Sequence, residues 1–178
     1  AEHSRLIIRG HMEEAAKQGL PIWGWSPSLS PQGTYEEAGV PDIGQRGGGK
    51  GYAVGAVSPY SVLLAMRYAP EEAQACLERM RQLNPSVYSP AFGYRDSIDP
   101  RTGDVAPDIL SLDKGMELAG SDAALRGRGG LSAYFWRSLE QSGPAGQARE
   151  LLAGEAEKFR AAEQAFLDQE QAQQEVPS

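Results

Sequence analysis

Two long segments without helical or strand periodicity separate the amphipathic stretches of this 178-residue chain. The first, residues 21–57, holds nine glycines and four prolines, and the second runs from residue 84 to residue 107. Loops longer than about 12–15 residues inside a compact domain are usually functional or disordered. Disordered linkers are poor in aromatic residues, yet these segments hold seven of the 14 in the chain, so we predict two ordered loops that line a site.

The stretches that flank these loops carry helical periodicity. Between residues 70 and 83 apolar side chains recur at i, i+3, i+4 and i+7, and Pro70 fits the first turn of a helix. Gly19, two residues before Pro21, is typical of a helix end. The only candidate strand is a weak one at residues 52–57. The sequence therefore predicts an all-α class with long loops, with helices over residues 3–18, 58–68, 70–83, 111–119 and 131–139.

The last part of the chain is acidic and helical in pattern. From Glu140 onward there are eight acidic and three basic residues, and Leu152, Phe159 and Phe166 recur every seven positions. We place a domain boundary at residue 140, followed over 141–178 by an acidic C-terminal helix with a frayed tail. Such a helix either packs one face on the body of the domain or forms a coiled coil with a partner.

Composition and charge exclude several classes of protein. The apolar run at residues 6–8 is flanked by arginines and falls far short of the ~18 residues of a membrane helix. A net charge of −7 argues against nucleic-acid binding. One cysteine excludes a disulfide framework and a multi-cysteine zinc site, and the loop aspartates lack the spacing of a calcium-binding loop. We therefore expect no cofactor, no metal ion, no nucleic acid and no membrane span.

The chain has few large apolar residues for its length. Its 16 Leu, 6 Ile, 7 Val and 4 Phe make 33 of 178 residues, below the roughly one-fifth level at which disorder becomes a concern. Alanine and glycine supply the remaining apolar content, but each buries little area. An ordered chain with so small a core is expected to bury further apolar surface against a partner chain.

Acidic residues in or next to the aromatic loops suggest saccharide chemistry. Aromatic rings stack on the apolar faces of sugars, while carboxylates bind the hydroxyl groups. Glycoside cleavage needs two carboxyl groups that flank the scissile bond, one protonated and one ionised. The candidate acids are Glu36, Glu37, Asp96 and Asp113.

Six short motifs occur in the order that a bacterial protein family uses. They are Ile22-Trp-Gly-Trp-Ser26, Gly33-Thr-Tyr35, Gly39-Val-Pro41, Val57-Ser-Pro-Tyr60, Phe92-Gly-Tyr-Arg-Asp96 and Leu112-Asp-Lys-Gly115. Together they resemble the C-terminal half of bacterial glycoamylase-like domains, which are similar to endo-β-1,2-glucanases and to the hydrolase-like domain of cyclic β-1,2-glucan synthases. The resemblance spans roughly residues 5–120.

The resemblance implies an (α/α)6 toroid whose inner helices and loops frame a saccharide cleft. It implies a catalytic role for Asp96, the first candidate, and for Asp113, which either faces the cleft or caps the start of its helix. It also implies a location outside the cytoplasm, periplasmic or secreted, although no signal-peptide pattern is visible in these residues. The residues that would bind the saccharide are Trp23, Trp25, Tyr35, Phe92 and Tyr94.

Domains of that family are more than twice as long as this chain. Residues 1–140 would therefore be the C-terminal half of a domain, and the partner acid would come from a missing N-terminal half or a second protein chain. Lys114 stands where the family pattern has glutamine. Two alternatives stay open: a non-catalytic saccharide-binding or assembly module that retains the aromatic cleft, and a helical scaffold that acts through its acidic C-terminal helix.

Overall fold

The computed structural model describes residues 2–41, 43, 52, 54–141, 150, 153, 154 and 157. The chain divides into two compact units, Ala1–Leu131 and Ser132–Ser178. All the candidate site residues belong to the first unit. The predicted acidic helix over residues 141–178 lies almost wholly outside the described residues, so that helix and the boundary before it stay predictions.

The described part of the chain is mainly helical, as predicted. Helix α1 (Glu2–Lys17) ends before Gly19, whose φ of 66° lies in the left-handed region that favours glycine. Helix α4 (Ser111–Arg126) continues beyond its predicted end at residue 119, because Ala123, Ala124 and Leu125 are strong helix formers. None of the helices in the described ranges is long and apolar enough to cross a membrane. The helices whose bounds lie within these ranges are α1 (Glu2–Lys17), α2 (Pro59–Ala65), α3 (Pro70–Leu83), α4 (Ser111–Arg126) and α5 (Leu131–Gln141).

The two long loops contain short antiparallel strand pairs that the sequence did not predict. In the first loop β1 (Ser28–Leu29) pairs with β2 (Tyr35–Glu36), with Leu29 opposite Tyr35. In the second, β3 (Tyr88–Ser89) pairs with β4 (Gly93–Tyr94). The expectation of no strand outside residues 52–57 was therefore wrong, because a strand of two residues is too short to show alternation.

A ladder of isolated antiparallel bridges joins the two loops to each other. Trp25 pairs with Val57, Val57 with Ile98, and Ile98 with Val105. The Val57 N–H donates to the Ile98 carbonyl oxygen at 2.8 Å, and the Ile98 N–H donates to the Val57 carbonyl oxygen at 2.9 Å. Because Val57 lies two residues before the start of α2 at Pro59, the ladder fixes both loops against that helix.

The hydrophobic core lies against this ladder. Val57 and Ile98 are fully buried, and Val62 of α2 and Met80 of α3 are buried with them. Each such side chain stabilises the folded chain by about 1.5–3 kcal/mol relative to an exposed position. The core therefore holds the loops that carry the candidate site residues, as well as the helices.

Helices α2 and α4 pack closely at a glycine. Gly120 of α4 is buried, and a Cβ atom built on it would lie 2.8 Å from both the carbonyl carbon and the carbonyl oxygen of Leu63 in α2. Real Cβ contacts are essentially never shorter than 3.0 Å. The backbones of the two helices are thus in direct contact, and this contact fixes the start of α4 relative to the start of α2.

Candidate functional site

Four segments of the first unit bring polar groups together beside the ladder. Asp96 follows β4, Asp113 lies in the first turn of α4, Leu29 lies in β1 and Tyr60 lies in the first turn of α2. The two aspartates that the sequence singled out are neighbours in space, although they belong to different elements. The remaining members of the cluster are a backbone N–H group and a phenol hydroxyl.

Asp96 is held from the side of β1. Its side chain is buried, with only 1% of the residue exposed, and its Oδ2 accepts a hydrogen bond from the Leu29 N–H at 2.5 Å. The neighbouring Ser97 hydroxyl donates to the Leu29 carbonyl oxygen at 2.5 Å. Asp96 Oδ1, also buried, has no hydrogen-bond partner among the described residues. Asp96 therefore has one fixed oxygen and one free oxygen.

Asp113 lies next to Asp96 and is buried as well, with 4% of the residue exposed. Its Oδ2 has no hydrogen-bond partner in the described part of the chain. Burial raises the pKa of Asp113 to about 8, and the neighbouring carboxyl group of Asp96 and the charge of Glu117 act in the same direction. The Asp113 side chain therefore lies beside Asp96 in surroundings that favour its uncharged form.

A lysine and a glutamate extend this cluster along α4. Lys114 Nζ lies 2.5 Å from Glu117 Oε1 and also donates a hydrogen bond to the Tyr94 carbonyl oxygen. Burial raises the pKa of Glu117, whereas the hydrogen bond and positive charge of Lys114 lower it. Glu117 lies four residues after Asp113 and so on the same face of α4. That spacing could have predicted its place in the cluster.

Removal of the lysine tests the strength of this pair. We expect Lys114→Met to lower the free energy of unfolding by about 1–2 kcal/mol, because Glu117 and the Tyr94 carbonyl lose a charged donor in a half-buried position. Urea unfolding at pH 7 measures the loss. The double variant Lys114→Met/Glu117→Gln is the control, and it should recover part of the loss because no unpaired charge remains. Equal losses in both variants would contradict this account.

Tyr60 closes the cluster from the side of α2. Its hydroxyl lies 2.5 Å from Ser26 Oγ and 3.1 Å from the Pro27 carbonyl oxygen. Burial raises the pKa of Tyr60 to about 12, and the charges of Asp113 and Asp96 contribute to the rise. The phenol is therefore a neutral hydrogen-bond donor at physiological pH. Tyr60 was part of a quoted motif but was not predicted as a site residue.

The predicted saccharide-binding residues fall into two groups. Tyr35 and Phe92 are exposed, by 57% and 69%, whereas Trp23, Trp25 and Tyr94 are buried in the core. Tyr35 stands opposite Leu29 in the first strand pair, next to the backbone group that binds Asp96. Phe92 lies in the turn before β4. The roles of all five in saccharide binding stay predictions, but only the exposed pair presents ring faces to solvent.

The two buried tryptophans have structural contacts of their own. Trp25 stacks on His11 with 5.9 Å between ring centroids, and its Nε1 donates to the Gly55 carbonyl oxygen at 2.9 Å. Trp23 and Trp25 both line a cavity of about 300 Å³ between α1 and α2. Neither Asp96 nor Asp113 lines this cavity. The cavity therefore shares Tyr60 with the carboxyl cluster but neither aspartate.

The chemistry of the site is that of carboxyl groups. Within the described ranges no group of three or more His, Cys, Asp or Glu side chains is arranged to hold a metal ion. A buried carboxyl pair, one member of which has a raised pKa, can bind hydroxyl groups and move protons. These are the operations that glycoside chemistry needs.

One protein family model matches most of the first unit. The Glycoamylase family model, described as "Putative glucoamylase", matches residues 11–128. This span covers about two thirds of the chain and includes both aspartates, the two loops and helices α2 to α4. The chain belongs to the Glycoamylase family. The resemblance inferred from the six motifs is thereby confirmed.

Solved structures of Glycoamylase-like proteins share the fold of this chain. A "putative glucoamylase" from Bacteroides uniformis ATCC 8492 matches with a TM-score of 0.54 at 18% identity, over 70% of this chain and 28% of that chain. The endo-beta-1,2-glucanase from Chitinophaga pinensis, solved with sophorotriose and glucose, matches with a TM-score of 0.51 at 19% identity, over 70% and 28%. A beta-1,2-glucanase from Parabacteroides distasonis matches with a TM-score of 0.51 at 15% identity, over 69% and 17%.

These comparisons also define how much of the fold is present. The chain spans between about one sixth and 28% of the length of those three proteins. In the comparison with curated proteins, no sequence matches the chain. Fold and family are therefore known, and the activity has to be argued from the site.

Proposed function

We propose that this chain is part of a carbohydrate-active, glycoside hydrolase-like protein that acts on a β-glucan-type saccharide. The observation that carries the proposal is the buried carboxyl pair Asp96–Asp113, which lies inside the span matched by the Glycoamylase family. Two of the structurally similar proteins are β-1,2-glucanases, so a β-1,2-linked glucan is the first saccharide to test.

In the proposed reaction Asp96 is the carboxyl group that acts on the glycan. Hydrolysis uses a protonated carboxyl as proton donor and an ionised one that activates water or attacks the anomeric carbon. The surroundings that raise the pKa of Asp113 favour one shared proton in the Asp96–Asp113 pair, so in this proposal the pair supplies one carboxylate. The second acid of the reaction comes, in this proposal, from a part of the protein outside this chain.

The proposed architecture is an incomplete (α/α)6 toroid, completed by a missing N-terminal half or a second protein chain. The share of the Bacteroides uniformis protein that the chain spans, 28%, supports this assignment. So do large apolar side chains that a closed ring would cover, because Leu6 of α1 and Leu118 and Leu125 of α4 are exposed.

A non-catalytic saccharide-binding or assembly module is the second candidate function. It is favoured by the burial of both carboxyl groups, since a glycan cannot reach a carboxylate that is 1% exposed unless its cover moves. Tyr35 and Phe92 would still be available to stack on sugar rings. The two functions therefore differ in turnover and agree in binding.

Replacement of an exposed aromatic ring tests saccharide binding. We expect Phe92→Ala to weaken the binding of sophorotriose about tenfold, because a sugar face that covers about 50 Å² of ring is worth about 1.3 kcal/mol. Isothermal titration calorimetry measures the change. Tyr134→Ala is the matched control, because Tyr134 of α5 is 67% exposed, close to the 69% of Phe92.

The outcome separates the candidates. Binding by the parent chain that falls in Phe92→Ala and stays unchanged in Tyr134→Ala supports a saccharide site at the second loop. Reducing-end release from β-1,2-glucan then distinguishes the hydrolase from the module. No binding of any β-glucan oligosaccharide by the parent chain would exclude both functions.

A further inference from the structure

Two buried carboxyl oxygens in the cluster have no hydrogen-bond partner among the residues that the structure describes. They are Asp96 Oδ1 and Asp113 Oδ2, and they belong to side chains that lie within hydrogen-bonding reach of each other. Leaving a buried polar atom unpaired costs about 1–3 kcal/mol, and more for a charged group. If both carboxyl groups were ionised, their like charges would also repel each other.

One proton on the carboxyl pair would both provide a hydrogen bond for a buried oxygen and remove the repulsion between two carboxylates. A protonated carboxyl group has an O–H donor, whereas an ionised one only accepts. A hydrogen bond from a protonated Asp113 to Asp96 Oδ1 would give the buried oxygen of Asp96 a partner. It would also remove one of two like charges from a site from which solvent is almost excluded.

We propose that Asp113 keeps a proton in the folded chain and donates it in a hydrogen bond to Asp96 Oδ1, which makes Asp113 a positioning residue for Asp96. Asp96 is then held at both oxygens, by the Leu29 N–H at Oδ2 and by the Asp113 O–H at Oδ1. The functional meaning of this hydrogen bond rests on the proposed function, in which Asp96 acts on the glycan. The proton itself can be measured without any glycan.

The charged groups around the pair favour this protonation state. Glu117 adds a negative charge on the same face of α4, and Lys114 is the one positive group among the influences on Asp113. Lys114 is engaged by Glu117 and by the Tyr94 carbonyl oxygen. Tyr60, which faces both aspartates from α2, is neutral at physiological pH. Asp96, Asp113 and Glu117 together with Lys114 would carry a net charge of −2 if all were ionised. One retained proton changes this net charge to −1.

A bound cation is the other species that could bridge two carboxyl groups. Calcium takes six to eight oxygen ligands, and in the described part of the chain no third acidic side chain joins Asp96 and Asp113 in a metal-binding group. The pair therefore fits a proton better than a metal ion. Calcium remains an arm of the test.

The pH dependence of unfolding measures the proton directly. Asp113 is protonated in the folded chain and ionised in the unfolded chain between its ordinary pKa of 3.8 and its raised pKa of about 8. Folding then binds a proton, so stability is highest at low pH and is lost as the pH rises through this window. Between pH 5 and pH 7 the equilibrium constant for unfolding of the parent should rise with pH. This rise should exceed that of Asp113→Asn by a factor of up to ten per pH unit.

Asp113→Asn suits this test because its amide keeps an N–H donor for Asp96 Oδ1 but cannot titrate. The control is Asp108→Asn at an exposed aspartate just after the second loop, and this variant should keep the slope of the parent. Equal slopes in the parent and in Asp113→Asn would overturn the proposal. A rise in stability on addition of calcium that is present in the parent and absent in Asp113→Asn would also overturn it.

A second measurement uses the unsubstituted chain and does not depend on the folding of a variant. Infrared difference spectra of the folded protein between pH 6 and pH 10 should contain the carbonyl stretch of one protonated carboxyl group that disappears as the pH rises. Absence of that band at pH 6 would overturn the proposal. Neither measurement involves saccharide, so a failure of glucan binding would not affect their outcome.

Discussion

Gly120→Val is expected to lower the free energy of unfolding by about 3 kcal/mol or more, at or above the upper end of the usual range for overpacking. The Cβ of the new side chain would meet backbone atoms of Leu63 at 2.8 Å, and a backbone cannot move aside as a side-chain tip can. Helices α2 and α4 would have to separate. Urea unfolding, followed by circular dichroism, measures the loss.

The same helix provides a matched control for this prediction. Gly115 also lies in α4, but a Cβ atom built on it meets no atom of the described part of the chain within 4 Å. Gly115→Val should therefore stay within about 0.5 kcal/mol of the parent, because valine is a slightly better helix former than glycine. Similar losses for the two variants would show that helix propensity, and not contact between α2 and α4, determines the effect.

Asp96→Asn is expected to reduce hydrolysis of β-1,2-glucan by the complete protein at least 100-fold. General acid–base groups contribute about 10²–10⁴-fold, and an amide cannot exchange a proton in this way. The amide oxygen can still accept the hydrogen bond from the Leu29 N–H, so the fold should be kept. Reducing-end release measures the rate.

Asp108→Asn is the control for the loss of a negative charge near the second loop. It should change the rate of glucan hydrolysis less than threefold, because Asp108 is exposed, is not among the charges that act on Asp113, and contacts Asp96 through its backbone carbonyl, which the substitution keeps. An Asp96→Asn protein that hydrolyses glucan at the rate of the parent would refute the catalytic assignment. Saccharide binding retained without turnover in the complete parent protein would favour the binding module.

The helices and both aspartates could be predicted from the sequence because the relevant signals are local. Proline at a helix start and apolar spacing gave α2 and α3 within a few residues. Asp96 and Asp113 were recognised from short motifs. Their pairing could not be predicted, because it depends on the ladder through Val57 and Ile98 and on the close contact at Gly120.

Residue type alone did not predict which of the aromatic side chains in the loops are exposed. All five predicted saccharide-binding residues come from the family motifs, yet Trp23, Trp25 and Tyr94 are buried, whereas Tyr35 and Phe92 are exposed. Each of the two strand pairs places its residues by a register that only the folded loops define. Tyr60 was not predicted as a site residue because its position depends on contacts with Ser26 and Pro27, which lie more than 30 residues away in sequence.

A crystal structure of the chain with sophorotriose tests the central claim most directly. We predict that the sugar lies against Tyr35 and Phe92, on the side where Leu29 of the first strand pair binds Asp96, with the Asp96–Asp113 pair beneath it. Sophorotriose bound instead in the cavity between α1 and α2, or anywhere remote from Asp96, would contradict a saccharide site built on this carboxyl pair.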